Sequence, residues 1–286
     1  MNHKGVTLIE LLIAMVISTI LIAGIYRVFI SQQRSYTVQD QVVEMQQNVR
    51  AAINKMLREI RMVNFGRVVY YNSGAGNFTS DILPVNGFNA VLSMSTDNTI
   101  TIVGGFEQIK KADGITPNRI ESSPTTTSIT LEQQTDKFDG VDNNLSIEGQ
   151  ECFRVTGRVN RTLTLHRTIP DTIRQTIIQA PTPILNVYKV QAVTYSVVAN
   201  DVLRRDTNIA GGNFGMAENI ESLQFQYFDA SGAVTTAANN TVRIQVTVTA
   251  RTKDSDPDYK GEGGYRRRQI RSDIQLRNMG RTLGIP

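Results

Sequence analysis

The sequence predicts an α+β fold in which a long N-terminal helix packs on a mainly antiparallel β-sheet head. Three observations lead to this prediction. Apolar residues are concentrated in the run Val6–Tyr26, the stretch after that run keeps a helical period, and past Gly66 the pattern changes to an alternation of period two. The predicted organisation is a short leader at residues 1–5, a helix over 6–62 and a β-rich head over 63–286.

The apolar run Val6–Tyr26 has 21 residues and a single charged side chain, Glu10. A helix with a rise of about 1.5 Å per residue needs about 20 residues to cross the hydrocarbon core of a bilayer. The run is too long for the core of an ordinary secretory signal, and no small-x-small cleavage site follows it. Residues 6–26 are therefore predicted to be a single membrane-spanning helix.

The same helix is predicted to continue over residues 27–62 as an amphipathic segment. A helix from Val6 to Met62 would be roughly 86 Å long at about 1.5 Å per residue. We expect its apolar stripe to pack against the head of the same chain, because the stripe covers barely three heptads and a coiled coil needs more. The stripe consists of Val38, Val42, Met45, Val49, Ala52, Met56 and Ile60.

Alternating hydrophobicity predicts the strands of the head. The segment Thr241–Arg251 places every second residue, from Val242 to Ala250, on one face of a half-buried strand. Short connections between strands favour an antiparallel sheet. Further strands are predicted at Thr99–Val103, Arg161–Arg167, Leu185–Ala199, Leu223–Tyr227 and Tyr265–Asn278. Turn-rich composition predicts surface loops at Ser122–Ser128, Thr135–Gly149 and Gly211–Gly215.

Composition and residue pattern give no support for a nucleic-acid site, a disulfide or a catalytic triad. The formal charge of +4 is close to balanced for 286 residues, so it does not indicate a nucleic-acid binder. The run Arg266–Arg268 lies on a predicted strand whose successive residues face opposite sides, and we do not expect it to bind nucleic acid. The single cysteine, Cys152, cannot form an internal disulfide and is predicted to be buried. His166 has no neighbouring arrangement of the catalytic-triad type.

One acidic segment is a weak candidate for a metal site. Its carboxylates, on a loop that contains glycine, are hard oxygen ligands of the kind that calcium prefers. The spacing does not match the EF-hand loop, and a solvated loop is the favoured alternative. The candidate ligands are Asp136, Asp139, Asp142 and Glu148. No other cofactor is predicted.

The first ten residues, MNHKGVTLIE, resemble the prepilin signature of type IV pilins and type II secretion pseudopilins. Gly5 matches the residue before the cleavage point, and Glu10 matches the glutamate at the fifth mature position. The resemblance implies that prepilin peptidase cuts between Gly5 and Val6, that Val6 is N-methylated, and that Glu10 pairs with the amino terminus of a neighbouring subunit. A carboxylate in hydrocarbon is costly and is normally retained with such a partner. Mature pilins usually begin with phenylalanine, whereas this chain would begin with Val6.

Two further segments, Ser31–Met62 and Leu203–Gly232, are similar to PilW-like minor pilins. This resemblance implies a type IV pilin-like fold and a structural subunit that helps to initiate pilus assembly, at the tip, with other minor pilins and the major pilin. It implies no enzymatic activity. The head would lie in the periplasm, anchored in the bacterial inner membrane, and later at the cell surface.

Three alternatives remain open from the sequence. The related type II secretion pseudopilin J has the same plan of a helix and a sheet. A tip-exposed adhesin would use the variable residues 72–151 to bind a ligand. A membrane-tethered periplasmic enzyme is disfavoured, because no catalytic arrangement of residues is evident.

Overall fold

The computed structural model describes residues 7–279 except 73, 76, 95–97, 140–142, 180–181, 199–200 and 210. In this part of the chain a long apolar helix is followed by a mostly antiparallel β-sheet head, which confirms the predicted α+β class. The chain divides into two compact units. The first unit comprises residues 1–47 and 251–267, and the second comprises 48–250 and 268–286.

The elements follow one another in a simple order, one long helix and then strands with a short second helix among them. The first elements are α1 (Leu8–Arg61), β1 (Tyr70–Asn72), β2 (Asn77–Thr79), β3 (Leu92–Ser93), β4 (Thr99–Gln108), β5 (Ile120–Thr125), β6 (Ser128–Leu131) and β7 (Asn144–Ile147). They are followed by β8 (Glu151–Val159), β9 (Thr162–Leu165), α2 (Asp171–Gln179), β10 (Val187–Val198), β11 (Val202–Asp206), β12 (Asn213–Ala217), β13 (Ile220–Phe228), β14 (Arg243–Arg251) and β15 (Arg267–Gln275).

The strands form three sheets. The largest has the order β12-β11-β10-β7-β8-β9-β6-β5, with β4 also paired to β10 and β3 paired to β4. Strand β10 is its central strand. It pairs with β4 along one edge and with β7 and β11 along the other. A separate sheet has the order β13-β14-β15, and β1 pairs with β2. In β14 the side chains of Ile244, Val246, Val248 and Ala250 are buried, as the alternation predicts.

The part of α1 that lies in the second unit buries the predicted stripe. Val49, Ala52, Met56 and Ile60 are all buried, and Ile53 joins them. Their apolar side chains are removed from water, which is the main favourable contribution to folding. The predicted stripe therefore matches the buried face of the helix in this unit. In the first unit Val38 and Val42 are only half-buried.

A tight turn ends α1 and begins the head. Buried Asn64 adopts a positive φ of 60°, and its side-chain oxygen accepts a hydrogen bond of 2.8 Å from the backbone N–H of Val69. Gly66 has a φ of 101°, and a Cβ at that position would lie 2.7 Å from Ser146 and 2.9 Å from the Cys152 sulfur. Only glycine fits this conformation and this space. The turn at residues 64–66 therefore separates the helix from the strands, at the point where the sequence pattern changes from helical to alternating.

Three of the predicted loops are wrong in part, because strands occupy some of their residues. Strand β5 overlaps the start of Ser122–Ser128, β7 lies inside Thr135–Gly149, and β12 overlaps the end of Gly211–Gly215. Strand β7 is the clearest case, since all four of its residues are buried. Its polar residues Asn144 and Ser146 are typical of a loop, yet β7 pairs with β8 along one edge and with β10 along the other. Pairing with distant strands outweighs the local composition here.

A buried polar group joins α1 to the central sheet within the second unit. The Glu59 carboxylate accepts a hydrogen bond of 2.6 Å from the Tyr195 hydroxyl of β10. It also accepts bonds of 2.9 and 3.2 Å from Arg205 Nε of β11. The Glu59 and Arg205 side chains are only 12% and 13% exposed. Burial, with the nearby Glu59 charge, raises the pKa of Tyr195 well above its usual range, so the phenol remains a donor.

The first prediction concerns this group. Glu59→Ala should lower the free energy of unfolding by about 3–5 kcal/mol, because it leaves the Arg205 charge buried without its partner. Denaturant unfolding of the full chain in detergent, followed by circular dichroism, measures this loss. The control is Glu44→Ala, which removes an exposed acid from the same helix and should change stability by less than about 0.5 kcal/mol. Equal losses of stability in the two variants would show that the contact of Glu59 with Arg205 does not stabilise the fold.

Candidate functional site

The N-terminus of α1 is closed by a reciprocal set of hydrogen bonds between Thr7 and Glu10. The Glu10 Oε2 atom accepts a bond of 2.9 Å from the Thr7 backbone N–H and another of 2.9 Å from the Thr7 hydroxyl. The Glu10 backbone N–H donates to the Thr7 Oγ1 atom over 3.3 Å. This is a capping box, which satisfies N–H groups that have no partner inside the helix.

Glu10 is recognisable in the sequence as the lone charge of the apolar run, whereas Thr7 was not among the predicted site residues. The signal was available, because threonine followed three residues later by glutamate, just before an apolar run, is the signature of a capping box. The structure therefore adds Thr7 to the candidate site. Thr7 holds the Glu10 carboxylate at the helix N-terminus, where the aligned peptide dipoles favour a negative charge.

The Glu10 carboxylate retains capacity for a further partner. An ionised carboxylate accepts about four hydrogen bonds. Both bonds from Thr7 reach the Oε2 atom, and Oε1 makes no hydrogen bond to another residue in the described part of the chain. The side chain is exposed. A cationic donor from outside the chain could therefore reach this group without breaking the capping box.

The predicted cleavage residues Gly5 and Val6 lie outside the residues that the structure describes. Their assignment rests on the sequence. Val6 directly precedes Thr7, so a cut between Gly5 and Val6 would leave a new amino group one residue before the capping threonine.

The apolar segment of α1 is exposed on all sides. Leu8, Ile13 and Ile20 are 79%, 55% and 68% exposed. The most apolar 18-residue window of the helix has a mean hydropathy of 2.6 and buries none of its residues in the protein. By length and composition, α1 is the one helix among the described residues that could cross a membrane.

Three of the four acidic residues predicted as weak calcium ligands lie in the described part of the chain, and two of these three are held by other side chains. Asp139 accepts a bond of 2.6 Å from Arg158, and Glu148 bonds both the backbone and the side chain of Asn186. Asp136 is exposed, and Asp142 lies outside the described residues. Among the residues described, no group of three or more His, Cys, Asp or Glu side chains is placed to hold a metal ion.

The arginines at 266–268 have different surroundings. Arg266 precedes β15, and its guanidinium donates to Asp256 over 2.8 and 3.1 Å. Arg267 Nη1 donates to the Glu262 carbonyl over 2.5 Å. Arg268, in the other compact unit, is exposed. Two of the three guanidiniums are thus already held by other groups of the chain.

Cys152 and His166 do not have the environment of catalytic residues. Cys152 is buried, as predicted, and burial raises the pKa of its thiol far above the ordinary range, so it remains protonated. His166 Nδ1 accepts a bond of 2.9 Å from the Arg154 backbone N–H. Its Nε2 atom is buried and has no hydrogen-bond partner among the described residues. Burial lowers the pKa of His166, which favours the neutral ring.

Comparison with known proteins identifies the N-terminal segment. A family model described as the prokaryotic N-terminal methylation motif matches residues 1–26. No curated protein and no solved structure gives a match to the chain. The motif, with the long apolar helix behind it, supports a membrane-anchored subunit of the type IV pilin or pseudopilin type that prepilin peptidase processes and that assembles with other pilins. It indicates a structural subunit rather than an enzyme.

Proposed function

We propose that this protein is a minor pilin, a structural subunit that helps to initiate type IV pilus assembly at the tip, in a complex with other minor pilins. One observation carries the proposal. The methylation motif at residues 1–26 coincides with an apolar helix whose lone acid, Glu10, sits in a capping box at the helix N-terminus. The similarity of Ser31–Met62 and Leu203–Gly232 to PilW-like minor pilins supports the choice of a minor subunit.

In this proposal each segment of the chain has a separate role. Prepilin peptidase removes the leader at residues 1–5 by cutting between Gly5 and Val6, and Val6 is then N-methylated. Residues 6–26 hold the subunit in the inner membrane, with the head at 63–286 in the periplasm, until it enters the filament. The amphipathic segment at 27–62 connects the two.

Glu10 is the proposed docking group. When subunits meet in the membrane, the positively charged amino terminus of a neighbour binds the Glu10 carboxylate. The attraction between unit charges is far stronger in hydrocarbon than in water, because the dielectric constant is low. Thr7 orients the carboxylate and leaves Oε1 for the incoming ammonium. Each subunit would thus place the next one at a fixed height along the helix.

The size of the head supports a position at a filament end. The head spans residues 63–286 and contains a ten-stranded sheet. Each subunit in the shaft of a filament is surrounded by neighbours, so a bulky head must be accommodated at every position. A subunit at the end has fewer neighbours. The protein is therefore expected at low copy number.

Cleavage is the most direct test of the N-terminal assignment. Gly5→Lys should leave residues 1–5 attached, because the peptidase recognises the glycine before the cut. Intact-mass analysis of the membrane fraction measures this, and the wild-type product should begin at Val6. Gly24→Ala is the control, since a Cβ at Gly24 meets nothing within 4 Å. Normal processing of Gly5→Lys would remove the basis of the assignment.

Substitution of the membrane acid tests docking. Glu10→Ala should insert and be cleaved normally, since removing a charge from hydrocarbon favours insertion. It should nevertheless be depleted by about tenfold or more from sheared filaments, because the ion pair with a neighbour is lost. Glu44→Ala, an exposed acid outside the apolar run, is the control and should enter filaments normally. Normal incorporation of Glu10→Ala would show that the carboxylate has no docking role.

Copy number tests the minor role itself. Quantitative mass spectrometry of purified filaments should find this chain far below the major subunit. Deleting its gene should reduce the number of filaments while the major pilin is still made and processed. Abundance comparable to that of the major subunit would make the protein a shaft component. A defect in type II secretion with normal pili would instead identify a J-like pseudopilin.

A further inference from the structure

The last turns of α1 expose a group of four cations for which the described residues supply no ion-pair partner. Arg50, Lys55, Arg58 and Arg61 are all exposed, and we call this set the cationic ridge. At 3.6 residues per turn they spread over about 140° of the helix surface, with Arg58 opposite the buried Val49 and with Arg50 and Lys55 at the two edges of this arc. All of them belong to the second compact unit.

No acid of the described chain pairs with the cationic ridge. None of its four side chains makes an ion pair within 4.0 Å to another residue that the structure describes. The only acid between Asn48 and Arg61 is Glu59, and its carboxylate is held by Arg205 and Tyr195.

Neighbouring cations of the cationic ridge repel one another. Lys55 and Arg58 are three residues apart, as are Arg58 and Arg61, and like charges at that spacing repel on a helix. The helix dipole offsets part of this for Arg58 and Arg61, which lie in the last turn. It does not account for Arg50 and Lys55, because the effect is confined to the last turn. A binding partner that supplies acids would relieve the repulsion.

The space between the cations suits another helix. Ala51 and Asn54 are exposed on the same face and carry no charge. Small and medium side chains at such positions allow a second helix to approach to the usual axial distance of about 8–10 Å. The stretch Asn48–Arg61 contains no aromatic residue, so it lacks the stacking groups that single-stranded nucleic acids need.

We propose that the cationic ridge is the docking surface for an acidic helix of a different pilin subunit. The inference rests on the proposed function, because it takes the partner to be another member of the assembly. Two copies of this chain cannot pair ridge to ridge, since identical cations would then face each other. Charge complementarity of this kind selects the partner and its register more than it adds affinity.

The experiment places a photo-crosslinking amino acid at Asn54 of the full-length protein in cells. Val159, which is 72% exposed in the head, carries the same probe as a control. The Asn54 probe should form an adduct with another prepilin-type protein through a peptide rich in Asp or Glu, and the Val159 probe should not form that adduct. Adducts of the Asn54 probe with only a second copy of the chain, with lipid or with nucleic acid would overturn the proposal.

Charge reversal provides the second arm. Arg50→Glu with Arg58→Glu should reduce the Asn54 adduct by about tenfold or more. Replacing the acids of the crosslinked peptide by Lys should restore it. Lys110→Glu with Arg268→Glu changes the net charge equally at two exposed cations outside the cationic ridge, and should have no effect. Arg50→Gln with Arg58→Gln tests the same contact if reversal prevents folding. An unchanged adduct in a folded ridge variant would overturn the proposal.

The two proposals fail in different ways. A chain that is cleaved after Gly5 and enters sheared filaments, but whose Asn54 adduct is absent or insensitive to the ridge charges, overturns the docking surface alone. A chain that is not cleaved and stays out of filaments overturns the proposed function.

Discussion

Helix α1 must satisfy two environments with one continuous backbone, and the other features of the chain depend on this constraint. Hydrocarbon requires that every backbone N–H and C=O be bonded within the segment, which a helix achieves without partners. Its first turn is the exception, because the initial N–H groups have no acceptor inside the helix. Thr7 and Glu10 provide acceptors there. An acid that is costly in a membrane thus also completes the structure of the helix that crosses it.

Farther along the chain, α1 packs against protein instead of lipid. Met56 and Ile60 are fully buried, and their apolar contacts with the rest of the second unit are non-directional. Apolar contacts alone leave the rotation and height of a helix loosely defined. Glu59 adds direction, since its carboxylate is bonded at measured distances to Tyr195 and Arg205 on two neighbouring strands. Burying these polar groups costs desolvation. Their bonds to two strands restrict where this part of the helix can lie on the sheet.

The parts of the fold that depend on local pattern could be predicted from the sequence. The helix over Leu8–Arg61 and the buried face of β14 each follow from a period that a short window contains. The helix α2 and strand β7 could not, because their burial depends on distant partners. The contact of Glu59 with Arg205 joins residues 146 positions apart, and no spacing rule indicates it. At the candidate site Glu10 stood out as a lone charge in the apolar run. Thr7 could have been recognised only through its spacing of three residues to Glu10, which is typical of a capping box.

In the proposed assembly, the charged groups of α1 would act at different stages. Glu10 lies where the dielectric constant is low, so a single ion pair there is strong and insensitive to salt, and it suits a contact that every subunit makes. The cations from Arg50 to Arg61 lie on a solvent-exposed face, where each pair is weak and screened. Several such pairs discriminate well between partners, because a mismatched surface meets repulsion at each position. A membrane acid shared by all subunits together with a periplasmic surface specific to one partner would allow a rare subunit to find its place among many similar helices.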